Sequence, residues 1–234
     1  MPEVFLDDLV SAYYDDLGLG YAKALVCGQI CWVSILYIHE HKEIWRPQST
    51  DQTGTTATTF IITAVGQDAY NRSAPLASPR LTTREEFPVV RAKIRPVILL
   101  TAPLSEIAGA AGRRENRINR GLCLVAPLYS ILDPVSEVPK YPEEFVKRVR
   151  MLEYPQFSYA PKNAKARIRD SVVRLDTIQS IYHYHLEPTP TRLSVDALSI
   201  LQGQIECYLA GRADTLYHDA REQLLHPDSP PSQA

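Results

Sequence analysis

The sequence lacks the long apolar segments that mark a membrane protein. Its longest apolar-leaning stretch, residues 22–38, is interrupted by Lys23, Gln29 and Ser34, and this stretch has neither the basic start nor the small-residue cleavage site of a secretory signal. We therefore expect a cytoplasmic protein with no membrane partner.

Cysteine is also scarce. The four cysteines lie at positions 27, 31, 123 and 207, without a C-x-x-C pair and without a nearby histidine at zinc-finger spacing. Reduced, mostly buried thiols are the favoured interpretation, because free cysteine usually behaves as a small core residue. We expect no structural metal and no other cofactor.

Several catalytic motifs are absent. The chain has no Gly-rich phosphate loop, no H-E-x-x-H and no G-x-S-x-G, so neither nucleotide hydrolysis nor serine-hydrolase chemistry is supported. His183 and His185 are spaced as two metal ligands on one strand face, but no third ligand is evident. Exposed imidazoles at a sheet edge are the simpler interpretation, and the neighbouring Tyr182 and Tyr184 could stack on unpaired bases.

The composition fits one globular domain with embellishments. The chain has 234 residues, of which 45% are hydrophobic and 22% charged. Its net charge is only −2, but residues 91–180 hold 16 Lys and Arg against 9 Asp and Glu. A local cationic patch is what phosphate binding needs, because charges are screened beyond about 8–10 Å at cellular salt. Solvated loop arginines would give the same count.

The apolar pattern predicts a mostly β protein of the α+β class. Alternating or unbroken β-forming runs predict strands, an acidic amphipathic segment predicts an N-terminal helix over residues 1–20, and Ser194 is placed to cap a helix that Gly211 ends. The predicted strands cover residues 26–38, 56–65, 89–100, 121–128 and 169–181, a helical turn is expected within 142–149, and loops are expected at 66–88, 105–120 and 134–141. The expected apolar stripe of the last helix is Val195, Leu198, Leu201, Ile205, Tyr208 and Leu209.

Four segments, in order along the chain, resemble the MazF/PemK/Kid toxin family. They are GQICWVS (28–34), IRPVILLT (94–101), LVAPLYS (124–130) and SVVRLDTIQSI (171–181). The resemblance implies a small, partly closed SH3-like β-barrel with a C-terminal helix. The barrel domain would span residues 21–212 with an insertion at about 42–90, between an N-terminal helical extension (1–20) and a C-terminal tail (213–234).

The resemblance also implies a function. Such a barrel is a homodimer that binds single-stranded RNA and cleaves it through attack by the substrate's own 2′-hydroxyl, which leaves a 2′,3′-cyclic phosphate without a metal. The reaction needs a base, an acid and cations against the charge that grows on the phosphate. A cognate antitoxin is then the expected protein partner.

Arg174 and Asp176 match the Arg-x-Asp pair of the Kid branch in position and spacing. Two residues apart on a strand, they would point to the same face. The resemblance implies that Asp176 is the base and Arg174 the acid or phosphate clamp. Of these roles the clamp is favoured, because a guanidinium is rarely deprotonated. An ordinary ion pair would look the same in the sequence.

Further site residues follow from the same resemblance. Arg95 matches the arginine of the family's Arg-Pro pair, His41 could orient the phosphate with His39 as its competitor, and Ser130 stands next to the family's hydroxyl position. The residues expected to contact the RNA are Arg91, Lys93, Tyr129, Arg169 and Gln179.

Departures from the family leave two other interpretations open. Tyr129 occupies the hydroxyl position, Gln179 replaces a usual arginine, and some fifty residues separate the first strand from Arg95. An inactive barrel that binds nucleic acid or docks to protein fits these departures. A gyrase-directed toxin like CcdB shares the barrel as well, but the Arg-x-Asp pair argues against it.

Overall fold

The computed structural model describes residues 4–37, 43–50, 57–73, 75, 80–103, 121–212 and 214–226. These residues divide into two compact units, one formed by Met1–Ser34 with Ile94–Ala234 and the other by Ile35–Lys93. In chain order the elements are α1 (Leu6–Leu9), β1 (Tyr14–Asp16), β2 (Gln29–Leu36), β3 (Glu43–Thr50), β4 (Ala57–Ala64), β5 (Phe87–Val89), β6 (Ala92–Leu99), β7 (Leu122–Ser130), α2 (Glu143–Arg150), β8 (Phe157–Ala160), β9 (Ser171–Arg174), β10 (Gln179–Tyr182), β11 (Glu187–Leu193), α3 (Val195–Ala210) and α4 (Thr215–Leu225).

The larger sheet has eight strands in the order β1-β11-β2-β6-β7-β9-β8, with β10 also paired to β7. Six of its strand pairs are antiparallel, namely β1–β11, β11–β2, β6–β7, β7–β9, β8–β9 and β7–β10. In the described part of the chain this sheet ends at β1 and β8 without closing on itself. The fold is therefore α+β and mostly strand, as predicted, whereas a closed barrel is not found.

The strand predicted over residues 169–181 is interrupted. Val173 pairs with Leu128 in β7 and Gln179 pairs with Val125, so the chain advances six residues while β7 advances three. The extra residues form a 3₁₀ turn, Leu175–Thr177, that interrupts the ladder. β9 and β10 thus lie along the same side of β7, as one strand with a loop inserted at its middle.

One face of the sheet is covered by α3 and α4. Helix α3 begins and ends as predicted, because the Ser194 hydroxyl accepts the Ala197 N–H at 3.3 Å and Gly211 takes a left-handed φ of 64°. Half of its predicted apolar stripe is confirmed, because Leu201 is buried and Leu198 and Ile205 pack against the core. The other half is wrong, since Val195, Tyr208 and Leu209 are exposed. The fully buried residues of α3 are Ala197, Ile200, Leu201, Gly203 and Gln204.

The other face of the sheet is covered by α2, at the predicted helical turn. Val172 and Val173 are adjacent in β9, yet Val173 belongs to the main core and Val172 packs with Val149 of α2 and with Tyr159. Alternation along the strand explains this separation. Aromatic side chains surround the second cluster, among them Tyr141, Phe145, Tyr154 and Phe157.

Both chain ends differ from expectation. The N-terminal helix is only Leu6–Leu9, and the chain then pairs as β1 with β11. Part of the predicted tail forms α4, which Asp214 caps by accepting the Tyr217 N–H at 2.9 Å. Helix α4 packs closely on α3 because Gly203 has no side chain; a Cβ there would lie 2.6 Å from the Cβ of Tyr217.

The second unit contains a three-stranded sheet in the order β4-β3-β5. Strand β4 matches the strand predicted at 56–65, whereas β3 was not predicted. Trp45 stacks on Phe60 with ring centroids 3.8 Å apart. The buried carboxylate of Glu86 accepts hydrogen bonds from Arg46, at 2.6 Å, and from Arg72. The hydrogen bond from Arg46 is the main reason that the pKa of Glu86 is lowered.

Candidate functional site

The predicted Arg174–Asp176 pair is present. Arg174 ends β9, and Asp176 lies in the 3₁₀ turn that follows. Arg174 Nε donates to Asp176 Oδ1 at 2.8 Å, and Nη2 donates to Oδ2. The expectation of one continuous strand face was wrong, since the turn, and not strand spacing, brings the carboxylate back onto the guanidinium. Both side chains are partly exposed, at 32% and 25%.

Tyr129 lies between two arginines. Its ring centroid is 4.1 Å from Cζ of Arg95 and 5.6 Å from Cζ of Arg174. The β6–β7 register pairs Val97 with Pro127, and its continuation places Arg95 opposite Tyr129. Both guanidiniums therefore meet at one aromatic ring, in the range of a cation–π interaction.

Two residues of this site were not predicted. The phenol of Tyr141 lies in the field of Arg174, Tyr129, Arg95 and Asp176, and burial is the main reason that its pKa is raised. Phe157, opposite Arg174 in the β8–β9 ladder, places its ring centroid 5.7 Å from Arg174 Cζ.

These two residues have no family motif and no special spacing in the sequence. An aromatic residue at the end of a loop was the only signal for Tyr141, and β8 itself was not predicted. We refer to Arg95, Tyr129, Tyr141, Arg174 and Asp176 as the arginine–tyrosine cluster.

The cluster carries one net positive charge when its phenols are protonated. The hydrogen bond to Asp176 is the main reason that the pKa of Arg174 is raised, so this guanidinium stays charged at neutral pH and is suited to binding an anion rather than to donating a proton. Among the described residues, nothing accepts a hydrogen bond from its Nη1. The Asp176 oxygens each keep a lone pair that can accept a proton or a hydrogen bond.

Ser130 and Arg169 are not part of the cluster. Ser130 follows Tyr129 in β7, so its side chain points to the opposite face, where its hydroxyl accepts a hydrogen bond from Lys140 Nζ at 3.1 Å. Arg169 precedes β9 and donates to the Pro134 carbonyl at 3.4 Å. The structure therefore does not bring Ser130, expected as a supporting hydroxyl, or Arg169, expected as an RNA contact, into the arginine–tyrosine cluster.

The remaining predicted residues are dispersed. Gln179 begins β10 opposite Val125. Arg91 and Lys93 belong to the second unit, where both are exposed and Arg91 Cζ lies 5.8 Å from the ring centroid of Tyr37. His41, with its competitor His39, lies outside the described residues.

The run from Tyr182 to His185 groups four aromatic side chains, of which Tyr182 is half-buried and the other three are exposed. Tyr182 and Tyr184 stack with ring centroids 5.3 Å apart, and the backbone N–H of His183 donates to the Gly121 carbonyl at 3.0 Å. In the parts of the chain that the structure describes, no three His, Cys, Asp or Glu side chains are grouped to hold a metal ion. All four cysteines are described, and all four are free.

Comparison with known proteins assigns no family to the chain. Neither a scan against protein-family models nor a search of the curated proteins gives a match. No helix within the described ranges has the length and apolar character needed to cross a membrane. The functional argument therefore depends on the residues of the cluster.

Proposed function

We propose that this protein is a metal-independent endoribonuclease of the MazF/PemK/Kid toxin type, which cleaves single-stranded RNA and leaves a 2′,3′-cyclic phosphate. One observation carries the proposal: two guanidiniums from separate segments of the sequence, Arg95 and Arg174, meet at the ring of Tyr129, and Arg174 holds the carboxylate of Asp176 beside them. This set contains a candidate base and two cations, which are the groups that the reaction needs.

In the proposed reaction Asp176 takes the proton of the 2′-hydroxyl, and the 2′-oxygen attacks the adjacent phosphorus. The bond from phosphorus to the 5′-oxygen breaks, so the products are a cyclic phosphate and a 5′-hydroxyl. Arg95 and Arg174 stabilise the charge that develops on the phosphate oxygens. We assign the proton for the departing 5′-oxygen to Tyr141, whose phenol is protonated at neutral pH and whose pKa is raised mainly by burial.

The ion pair between Arg174 and Asp176 must loosen when RNA binds. An ion pair that is partly exposed to solvent contributes about 0–1 kcal/mol. A phosphate can replace the carboxylate on the guanidinium, because both present oxygens in a geometry that arginine binds bidentately. Release of Asp176 would then free its oxygens for the 2′-hydroxyl.

The finer fold assignment belongs to the same proposal. We assign β2, β6, β7 and the interrupted strand β9–β10 to the four segments that resemble the toxin family, and α3 to its closing helix. On this assignment the open sheet is a divergent form of the partly closed SH3-like barrel. A homodimer, a cytoplasmic location and a cognate antitoxin are parts of the proposal.

The test compares cleavage of a mixed single-stranded RNA by the wild-type protein and by Asp176→Asn, Arg174→Ala, Arg95→Ala and Tyr141→Phe. Loss of a general base costs about 10²–10⁴-fold in rate, so we expect Asp176→Asn to cleave at least about 100-fold more slowly than the wild type. Asp15→Asn is a matched control, because Asp15 pairs with Arg192 at 3.1 Å elsewhere on the same unit. It should retain the wild-type rate.

Thermal unfolding of each variant separates lost chemistry from lost folding. Undiminished cleavage by folded Asp176→Asn would remove the carboxylate from the mechanism. Equal loss in Asp15→Asn would show that the effect is not specific to the cluster.

A second candidate is a non-catalytic barrel that binds nucleic acid or docks to protein. The observation that favours it is that Arg174 occupies both oxygens of Asp176, while a tyrosine stands at the hydroxyl position of the toxin family. This candidate predicts that RNA binds to the wild-type protein without being cut, and that Arg95→Ala and Arg174→Ala weaken binding in a fluorescence-anisotropy assay.

A further inference from the structure

A pocket of about 520 Å³ lies away from the arginine–tyrosine cluster. Two turns of the chain contribute to it, one after β7 and the other between β8 and β9. Its lining residues are Leu132, Lys162, Ala164, Ile168, Arg169 and Asp170. None of the five residues of the cluster takes part.

The wall between β8 and β9 is held by hydrogen bonds in a fixed conformation. Asn163 and Ile168 exchange backbone N–H to carbonyl hydrogen bonds of 3.0 Å each. Trp32 Nε1 in β2 donates to the Ala166 carbonyl at 3.0 Å, which ties this turn to the sheet. Surface loops are usually more mobile than this, so the turn is shaped before any ligand arrives.

The opposite wall is also a hydrogen-bonded turn. Asp133 Oδ1 accepts the backbone N–H groups of Val135 and Ser136, both at 3.0 Å. Arg169, which lines the pocket, donates to the Pro134 carbonyl of this turn at 3.4 Å. The two walls are therefore linked, and the cavity does not depend on an induced rearrangement.

The cations of this region fall into two classes. Lys165 and Arg167 are each paired with a carboxylate of another segment. Lys162 and Arg169 have no acidic partner among the described residues, and these two are the cations that line the pocket. Within one short turn, the two paired cations are not among the lining residues, whereas the two unpaired cations line the pocket.

The only acid in the described lining is already engaged. Asp170 Oδ1 accepts the Tyr159 hydroxyl at 2.7 Å and the Lys162 backbone N–H at 3.0 Å. The lining then carries one net positive charge. Its apolar part comes from the buried Ile168 with Leu132 and Ala164.

We propose that this pocket binds a small organic anion, namely a carboxylate or phosphate group attached to an apolar body. The volume lies within the range of about 300–1,000 Å³ typical of small-molecule sites. Lys162 and Arg169 hold the anionic group at the rim, and Leu132, Ala164 and Ile168 contact the apolar body. The site goes beyond the proposed ribonuclease and does not depend on it.

The test uses 2-naphthoate and its neutral analogue 2-naphthol as probes, with the full chain, in saturation-transfer NMR and calorimetry. Charge-assisted hydrogen bonds at a partly exposed rim should make naphthoate bind at least about 5-fold more tightly than naphthol. The double variant K162A/R169A should lose this preference. The matched variant K165A/R167A removes two cations of the same turn and should keep it.

A pocket-filling variant provides the second arm. Ala164→Phe should weaken both probes, because the added ring occupies the apolar part of the cavity. Equal affinity for the two probes, or a preference that survives in folded K162A/R169A, would overturn the proposal. Displacement of naphthoate by a short single-stranded RNA would also overturn it, by assigning the pocket to the nucleic acid.

Discussion

The side chain of Gln204 links helix α3 to strand β8 and to the segment just before it, and substitution of Gln204 tests how much this link stabilises the fold. Gln204 lies on the buried face of α3 and is fully buried, at 0% exposure. Its side-chain amide donates to the Tyr154 carbonyl at 3.0 Å and to the Phe157 carbonyl at 2.6 Å. Its Oε1 atom is buried without a hydrogen-bond partner within the described structure.

Gln204→Met keeps the length of the side chain and removes both donors. The Phe157 carbonyl loses this donor, which costs about 1–3 kcal/mol. The Tyr154 carbonyl still accepts the Phe157 N–H at 3.2 Å, so it loses one of two hydrogen bonds, at about 0.5–1.5 kcal/mol. The variant also removes a buried acceptor that has no partner, which returns about 1–3 kcal/mol. We therefore expect the free energy of unfolding to fall by about 1 kcal/mol.

Urea unfolding followed by circular dichroism measures this difference. Gln202→Met is the control, since Gln202 is exposed on the same helix and its amide donates, within the described part of the chain, to Cys27 Sγ alone, at 3.9 Å. Its free energy of unfolding should stay within about 0.5 kcal/mol of the wild type. Equal effects of the two substitutions would refute the reasoning, because buried and exposed amides would then be equivalent.

Three further predictions concern single groups. Gly121→Ala should lower the free energy of unfolding by about 1–2 kcal/mol, because φ is 58° and the new Cβ would lie 2.2 Å from His183 Nδ1; unchanged urea unfolding would contradict this. Backbone hydrogen bonds, the one from the Ser136 N–H first, lower the pKa of Asp133 to about 2, so its stabilisation is complete above the unfolded pKa of about 3.9 and is lost as the pH falls through 2. An NMR titration midpoint near 4 would contradict that assignment. Burial raises the pKa of the Cys31 thiol to about 12, so a thiol reagent at pH 8 should modify Cys31 only after unfolding, and prompt modification of the folded protein would contradict it.

Local patterns predicted the ends of elements better than their buried faces. The N-cap Ser194 and the left-handed Gly211 are decided within a few residues of the chain, and the structure confirms both. The buried face of α3 is decided by what packs against it. Gln204 is buried where its amide donates to two backbone carbonyls, whereas a sequence pattern assigns a glutamine to solvent.

Two strands also show that local sequence patterns do not determine how a segment pairs in the sheet. The 3₁₀ turn in β9–β10 keeps the alternation of burial, with Leu175 and Thr177 buried, so the sequence alone looks like one strand. Strand β11 was not predicted because Pro188 and Pro190 interrupt it; its register with β2 shifts between Pro188 and Arg192, which accommodates the missing donors.

Only those residues of the candidate site that lie in the family-like segments could be predicted from the sequence. Arg95, Tyr129, Arg174 and Asp176 come from segments that resemble the toxin family, and the structure brings them together. The position of Tyr141 depends on packing of the segment before α2, which no local pattern encodes.

The chemistry of the RNA ends tests the central claim most directly. Purified protein is incubated in EDTA with a single-stranded RNA of mixed sequence and with the same strand carrying 2′-O-methyl groups, and mass spectrometry identifies the new ends. We predict 2′,3′-cyclic phosphate and 5′-hydroxyl ends from the first strand and an intact second strand. Cleavage of the methylated strand, ends with a 5′-phosphate, or no cleavage of either strand would contradict attack by the 2′-hydroxyl at the arginine–tyrosine cluster.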